Sequence, residues 1–414
     1  MSDPTLHSGL DRFLRPVVRA RYVLLIAWGG FWCWREYTAT TDWRLFTAGG
    51  ALLFGDHKRV YLLPHLYFLG TRPGGLHLYA NYRTFQTGPL TLALAAGLRF
   101  IGPNRGAVAN VVLMLALGIA LVLIVESSAS SVASRHMGAG WLINLTVLLG
   151  GLVLIPAWAK LAGSYGHTDD ALALFGVAAA VWCVANGSPW LCGVAIAFAI
   201  ISKPWAITFL PLALAFKRRD ACRALLAASA STAAVVLPFV VADRATLRVG
   251  AFPYRIAANS TLILFHLKVG SVSPSWVRPM ELVGGLVFAS VAALRGRWYA
   301  IPVVAVAARV AIDPETYGYY ATGVVAAAMI WDLYSWRRPL PIATLASFVL
   351  LLDAPALAGP AVQAIARLAV GVIAILIVGW PTHHRRVDSA RSVGEETLVP
   401  ALELPATRAE QSVG

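Results

Sequence analysis

Residues 106–125 read GAVANVVLMLALGIALVLIV, twenty residues without a charge and with Asn110 as the polar exception. An α-helix of that length rises ~30 Å, the thickness of a bilayer's hydrocarbon core. A helix satisfies its backbone polar groups internally, which lipid cannot do, so the stretch reads as a membrane span. Similar apolar runs lie at Tyr22–Trp34, 88–103, 138–160, 170–186, 190–216, 224–242, 281–296, 298–312, 319–335, 339–355 and 360–380. Together they predict an all-α, polytopic membrane protein with about 12 transmembrane helices, in a range of about 10–13.

Composition agrees. Of 414 residues, 58% are hydrophobic and 13% charged, about half the ~25% charge of soluble domains. This excludes soluble enzymes, disulfide scaffolds, coiled coils and disordered chains. A net charge of +14 would suggest nucleic acid in a soluble protein. Here the bases lie between apolar runs, so the partners are membrane lipids and not nucleic acid. The four cysteines are scattered and form no metal-binding spacing.

Arg12, Arg15, Arg19 and Arg21 precede the first run, which has no cleavage site after it. It reads as an uncleaved first helix with a cytoplasmic N-terminus. Twelve crossings then put Lys217-Arg218-Arg219, Arg295/Arg297, Arg337-Arg338 and His383-His384-Arg385-Arg386 inside. The expected localisation is the plasma membrane, multi-pass, with both termini cytoplasmic. Residues 1–380 form the transmembrane domain, and 381–414 read as a disordered cytoplasmic tail. The loops 40–87, 243–280 and 313–318 fall outside. The loop 161–169 falls inside, with a re-entrant turn as the other option.

Two outer loops stand out. In 40–87, Trp43–Gly55 (WRLFTAGGALLFG) reads as an amphipathic interfacial helix. In 243–280, Arg244, Arg248, Arg255, Lys268 and Arg278 face the single acid Asp243, interleaved with Phe252, Tyr254, Phe265, His266 and Trp276. A basic outer loop runs against the positive-inside trend and suits an anionic headgroup or lipid-linked phosphate.

Asp42, just past the first helix, has two readings. It is placed to act as a general base at the outer face, and it is also a favoured N-cap for the helix beginning at Trp43. His167-Thr168-Asp169-Asp170 reads as a proton relay, metal site or sugar-binding group, or as a helix N-terminus whose acids complement the dipole; one tetrad is too few ligands for a metal. Lys203, in the middle of an apolar run, is costly and functional by default, or else pairs with Asp169 or Asp170. Arg309 and Asp313 are spaced for a helical pair. Tyr319 and Tyr320 suit an interface belt or hydrogen-bonding in a cleft. The GxxxG-like spacings of 138–163 indicate helix packing.

Several stretches resemble a known family. Asp42-Trp43-Arg44-Leu45-Phe46, Ala48-Gly49-Gly50-Ala51-Leu52-Leu53-Phe54-Gly55 and Tyr61 resemble the opening of GT-C fold glycosyltransferases. More specifically they resemble glycosyltransferase family 87, the DUF2029-like, polyprenyl-phosphate-mannose-dependent mannosyltransferases of actinobacteria. Phe85-Gln86-Thr87-Gly88-Pro89 is similar to that family's aromatic-then-Pro entry to its second helix. Gly166-His167-Thr168-Asp169-Asp170, Gly193 and Lys203-Pro204 are similar to its Gly-Gln-x-Asp/Asn, Gly, Lys-x-x-Pro series. The likeness covers the first 215 residues well and the rest loosely. The chain departs at His167, where Gln is commoner, at Pro204 directly after Lys203, and at Asp313-Pro314…Tyr319-Tyr320, where relatives carry Ser-Pro…His.

The resemblance implies a GT-C-type fold and inverting transfer of a hexose, of mannose type, at the outer face. The donor is a polyprenyl-phosphate sugar and the acceptor a lipid or glycolipid of the cell envelope. Asp42 is the implied base. Arg255, Lys268, Arg278, Lys203, His167, Asp169, Tyr319 and Tyr320 are the implied substrate-binding residues. Neither a metal nor a cofactor is expected. Two other classes stand beside this one. A transporter or flippase of lipid-linked sugar would use Lys203, Asp332 and Asp353 as a charge pathway. A non-catalytic envelope assembly protein would keep the fold alone.

Overall fold

A computed structural model describes residues 16–38, 41–55, 72–133, 139–251, 254–315, 317–335, 340–353 and 359–379. Tyr61 and the tail 381–414 lie outside the described residues, as do Arg337-Arg338, Phe252 and the side chain of Asp353. The described residues belong to one compact unit, Met1–Gly379.

Among the described residues the chain is helical and has no strand. The helices are α1 (Arg21–Glu36), α2 (Thr41–Leu53), α3 (Pro89–Arg99), α4 (Pro103–Ala133), α5 (Ala139–Ala159), α6 (Thr168–Ala185), α7 (Pro189–Ser202), α8 (Arg218–Ala242), α9 (Val277–Leu294), α10 (Ile301–Ile312), α11 (Tyr320–Ser335), α12 (Ile342–Phe348) and α13 (Pro360–Gly379). Prolines open α3, α4, α7 and α13, where the missing N–H costs nothing. Among the described residues, six helices are long and apolar enough to cross a membrane, which makes this an all-α membrane protein. Shorter apolar helices include α3, α7 and 204–215.

Small residues let the helices touch. A Cβ on Gly193 would lie 2.2 Å from the Ala224 carbonyl oxygen, and one on Gly151 would lie 2.7 Å from Leu25. Close approach of this kind drives helix association in lipid, where apolar burial gives no preference. Leu25 meets Gly151, and Glu36 meets Gly163, so α1 and α5 run parallel. Arg21 meets Glu126 and Gly29 meets Leu115, so α4 runs antiparallel to both.

Three expectations change. The run 88–103 forms α3, 11 residues and ~16 Å long, which packs with α2 into a separate apolar cluster rather than into the main core of the bundle. The run 190–216 is not one helix: α7 ends at Ser202, Lys203 is extended (φ −146°, ψ 112°), and Pro204–Ala215 continues as a 3₁₀-helix. Finally, 161–169 does not lie opposite 40–42. The Thr38 N–H donates to Gly163 O and His167 reaches Asp42, so both segments sit at one end of the bundle. The physical reason is that α3 packs with α2, so α4 to α7 run opposite to the directions that a crossing at 88–103 would give them.

The described part of the 40–87 region is helical and packed. Helix α2 packs on α3, with Gly50 against the Leu92 carbonyl oxygen and Gly49 against Phe85. Trp43, Phe46, Leu52, Tyr79, Phe85, Leu92 and Phe239 close a second apolar cluster there, apart from the main core of the bundle. The 254–276 stretch folds over its own small core of Ile256, Leu262 and Val277.

Candidate functional site

Asp42 sits in the first turn of α2, which begins at Thr41. It is therefore not the N-cap, although its charge still complements the helix dipole. Trp43 and Phe46, both buried, fix the helix. Facing it, α5 ends in a π-helical turn, Lys160–Tyr165, and Gly166 takes a left-handed conformation (φ 69°). The reversal delivers His167 ahead of α6, and π-turns of this kind recur at functional sites.

His167 Nε2 lies 3.0 Å from Asp42 Oδ2, and its Nδ1 lies 3.2 Å from Asp169 Oδ1 and 3.5 Å from Asp170 Oδ2. Lys203 Nζ, freed from helical geometry at the break, donates to Asp169 Oδ2 and lies 3.4 Å from Asp170 Oδ2. Thr87 Oγ1 donates to the same Asp169 oxygen at 2.9 Å. Trp205 Nε1 donates to Asp170 Oδ1 at 3.0 Å. Arg309 lies 3.7 Å from Asp170 and 3.6 Å from Asp313, with its guanidinium over the rings of Trp205 and Tyr320 at 4.6 and 4.5 Å. Arg278 extends the series, at 3.2 Å from Asp313 and 2.6 Å from Glu281, and lies over the Tyr254 ring at 4.2 Å. The charges form one continuous network in which acids and bases alternate.

Exposure falls along that network. The Asp42 side chain is 31% exposed, that of His167 12% and that of Asp169 0%. Asp42 is thus the most exposed member of the network, and His167 is its link to the buried Asp169 and Asp170. The imidazole also stacks on Tyr319, with ring centroids 3.8 Å apart. Burial alone would push the imidazole down, but hydrogen bonds with Asp169 and Asp42 outweigh it and hold the pKa at about 9. His167 is therefore an imidazolium at neutral pH, matched to the carboxylates on both sides.

His167, Asp169 and Asp170 also present three ligand atoms within 4.8 Å of one another. Lys203 Nζ bonds to these carboxylates, so a side chain already delivers positive charge there.

The network gathers Asp42, His167, Asp169, Lys203, Tyr319 and Tyr320, and reaches Arg278 through Asp313. The expected pairings of Lys203 with Asp169 and Asp170, and of Arg309 with Asp313, are both present. Arg278 heads helix α9 rather than standing in the loop, and its guanidinium faces two acids. Lys268 is exposed on the loop. Arg255 is also exposed and lines an open pocket of about 280 Å³ with Ile256, Ala257, Glu315 and Tyr317. Glu315 is pushed up to about 7 by burial and by the Asp313 charge, and Tyr317 to about 12 by burial and then by Glu315 and Asp42.

Trp205, Glu281, Glu315 and Tyr165 were not among the sequence candidates. Glu281 carried a signal, three residues after Arg278 on one helix face; Trp205 carried only its nearness to Lys203. Asp332 belongs elsewhere: it accepts from the N–H groups of Ala343 and Thr344 at the start of α12, at 3.2 and 2.8 Å. That is a capping role, not a step in a charge pathway from Lys203.

The chain matches no protein-family model, no curated protein and no solved structure.

Proposed function

We propose that this protein is a membrane glycosyltransferase of GT-C type that moves a hexose, of mannose type, from a polyprenyl-phosphate carrier to a cell-envelope glycolipid or lipoglycan, with inversion. The observation that carries the reading is Asp42: a partly exposed carboxylate, fixed by His167 at 3.0 Å, at the open end of a buried charge network. A base needs access to its substrate and a fixed orientation, and Asp42 has both.

In this reaction Asp42 takes the proton from an acceptor hydroxyl. The hydroxyl oxygen forms a bond to the anomeric carbon as the carbon–oxygen bond to the phosphate breaks, and the electron pair leaves with the polyprenyl phosphate. His167 holds Asp42 Oδ2 and offsets its charge. The phosphate meets cations of the outer loop, Arg255 and Lys268, since Arg278 and Lys203 already face carboxylates. No step requires a metal or cofactor.

Helix directions support a topology of twelve crossings: α1, α4 to α7, 204–215, α8 to α11, 342–352 and α13. The 3₁₀ leg 204–215 has twelve residues and rises ~24 Å. The run 88–103 drops out and 190–216 counts twice, so both termini stay cytoplasmic and the Asp42 end faces outward. A flippase reading needs charges continuing through the bundle, and the network instead gathers at one end. Transfer from radiolabelled polyprenyl-phosphate mannose in membranes carrying the protein tests the proposal. Labelled glycolipid that depends on Asp42 supports it, and no transfer to any envelope lipid sinks it.

A further inference from the structure

We infer that the pocket bounded by Arg255, Ile256, Ala257, Glu315 and Tyr317 seats the headgroup of a lipid-linked sugar, with Arg255 on its phosphate and Glu315 and Tyr317 on its ring. The inference rests on the glycosyl-transfer reading above and gives that reaction its sugar subsite.

The pocket is built rather than incidental. One wall is the 254–257 segment, tied by an antiparallel bridge between Arg255 and Val272 and by Ile256 N donating to Ser271 O at 2.9 Å. The other wall is formed by Glu315 and Tyr317. Ala257 N donates to Pro314 O at 2.9 Å and joins the walls, and Glu315 N donates to Asp313 Oδ1 at 3.0 Å. Arg278 and Arg309 in turn hold Asp313. A cleft fixed on both sides loses little entropy when a ligand enters.

Its chemistry is that of a sugar phosphate. At about 280 Å³ it has room for one small ring and not for a polyprenyl tail. The Glu315 carboxyl accepts from Tyr317 Oη at 3.4 Å through one oxygen and offers the other to ring hydroxyls. The negative face of the Tyr317 ring matches the weakly positive C–H face of a pyranose. Arg255 supplies a planar fork suited to phosphate oxygens.

The pocket also connects to the base. Tyr317 stacks on Tyr319, with centroids 5.5 Å apart and planes 14° from parallel. Tyr319 stacks on His167, which holds Asp42. Tyr165 packs against both tyrosines. A ring lying on Tyr317 is thus at one end of an aromatic series whose other end is the partner of Asp42.

Two lipids share this chemistry: a polyprenyl-phosphate hexose and a glycolipid whose sugar is carried on a phosphodiester. The test measures binding to the full-length protein in nanodiscs by native mass spectrometry. The probes are polyprenyl-phosphate mannose, the same polyprenyl phosphate without sugar, and a phosphatidylinositol-linked mannoside. Glu315→Gln and Tyr317→Ala are expected to weaken one mannose-bearing probe by ~10-fold or more while leaving the sugar-free phosphate within ~2-fold, and Tyr317→Phe to keep affinity. Arg255→Ala is expected to weaken the sugar-free phosphate as well. The mannose-bearing probe that responds identifies the source. Equal losses for sugar-bearing and sugar-free probes in Glu315→Gln and Tyr317→Ala overturn the inference, as do unchanged affinities of those variants for both mannose-bearing probes, or no binding by the wild type. Transfer measured in parallel separates the failures: normal transfer with unchanged variant affinities sinks the pocket alone, and absent transfer sinks the reaction with it.

Discussion

The two ends of the bundle carry buried polar groups in opposite ways. At the Arg21 end the interactions are closed and separate. Arg21 meets Glu126 at 2.5 Å with Tyr22 on the same carboxylate, Ser128 bonds to Tyr334, and Asp332 caps α12. At the Asp42 end the charges are linked one to the next, and helices α2, α6, α9 and α10 join with Lys203 in one system. A closed pair neutralises a charge and asks nothing of the rest of the fold. A network that opens on a partly exposed carboxylate makes the state of that carboxylate depend on every member. The comparison therefore gives the proposed chemistry its place at the Asp42 end and leaves the Arg21 end a structural role.

The hardest test of that assignment is a pair of isosteric changes. Asp42→Asn keeps size and helix compatibility but cannot take a proton, so transfer should fall by ~10²–10⁴. Glu126→Gln at the other end should leave transfer within about twofold. Radiolabelled transfer in membranes reads both, and equal losses would erase the distinction between the ends. The next largest effect is on stability. Lys203→Met leaves Asp169 and Asp170 buried beside each other with their nearest cation gone, at a cost of ~3–5 kcal/mol. Arg21→Met should cost ~1–3 kcal/mol, because Tyr22 still bonds to Glu126. Unfolding in detergent measures the difference, and a larger loss for Arg21→Met would contradict the network. Arg309→Lys sharpens the picture at a smaller scale. The charge remains, but the contact with two aromatic faces weakens, for an expected ~1–2 kcal/mol.

The smallest effect is on pH dependence. His167 titrates at about 9 in the folded protein, above the ~6.5 of an unperturbed imidazole. A raised pKa contributes stability that is complete below the unfolded value and is lost as pH rises through the folded one. The melting temperature should therefore decline between about pH 6.5 and 9, and His167→Gln should flatten that decline. A slope unchanged in His167→Gln would remove His167 as its source.

Much of this was legible in the sequence, for reasons that can be traced. Apolar runs of bilayer length announced the helices, because lipid leaves the backbone no other option. Lys203 announced its partners, because a lone charge inside an apolar run has to be neutralised. Arg309 and Asp313 were a local pair at helical spacing. The helix α3 was misread because a Leu- and Ala-rich run looks the same whether it crosses a bilayer or packs beside one. That single misreading placed 161–169 at the wrong end. The contact between Asp42 and His167 had no local pattern at all: it exists because α1 and α5 run parallel through their close contacts at Gly151 and Gly163, and only packing creates that arrangement.

The order in which the network's members occur along the chain bears on how the protein is made. Asp169 and Asp170 lead α6, while Lys203 comes 34 residues after Asp169 and Arg309 follows much later. During synthesis the two acids reach the membrane with His167 ahead of them but before Lys203 or Arg309 has been made. Helix α6 is long and apolar enough to cross a membrane, but unpaired carboxylates at its first turn are costly near hydrocarbon. The α6–α7 hairpin lowers that cost by bringing Lys203 alongside. The α6–α7 hairpin is therefore the smallest unit in which these carboxylates meet their lysine, and a chain that stops before residue 203 carries the two acids without it.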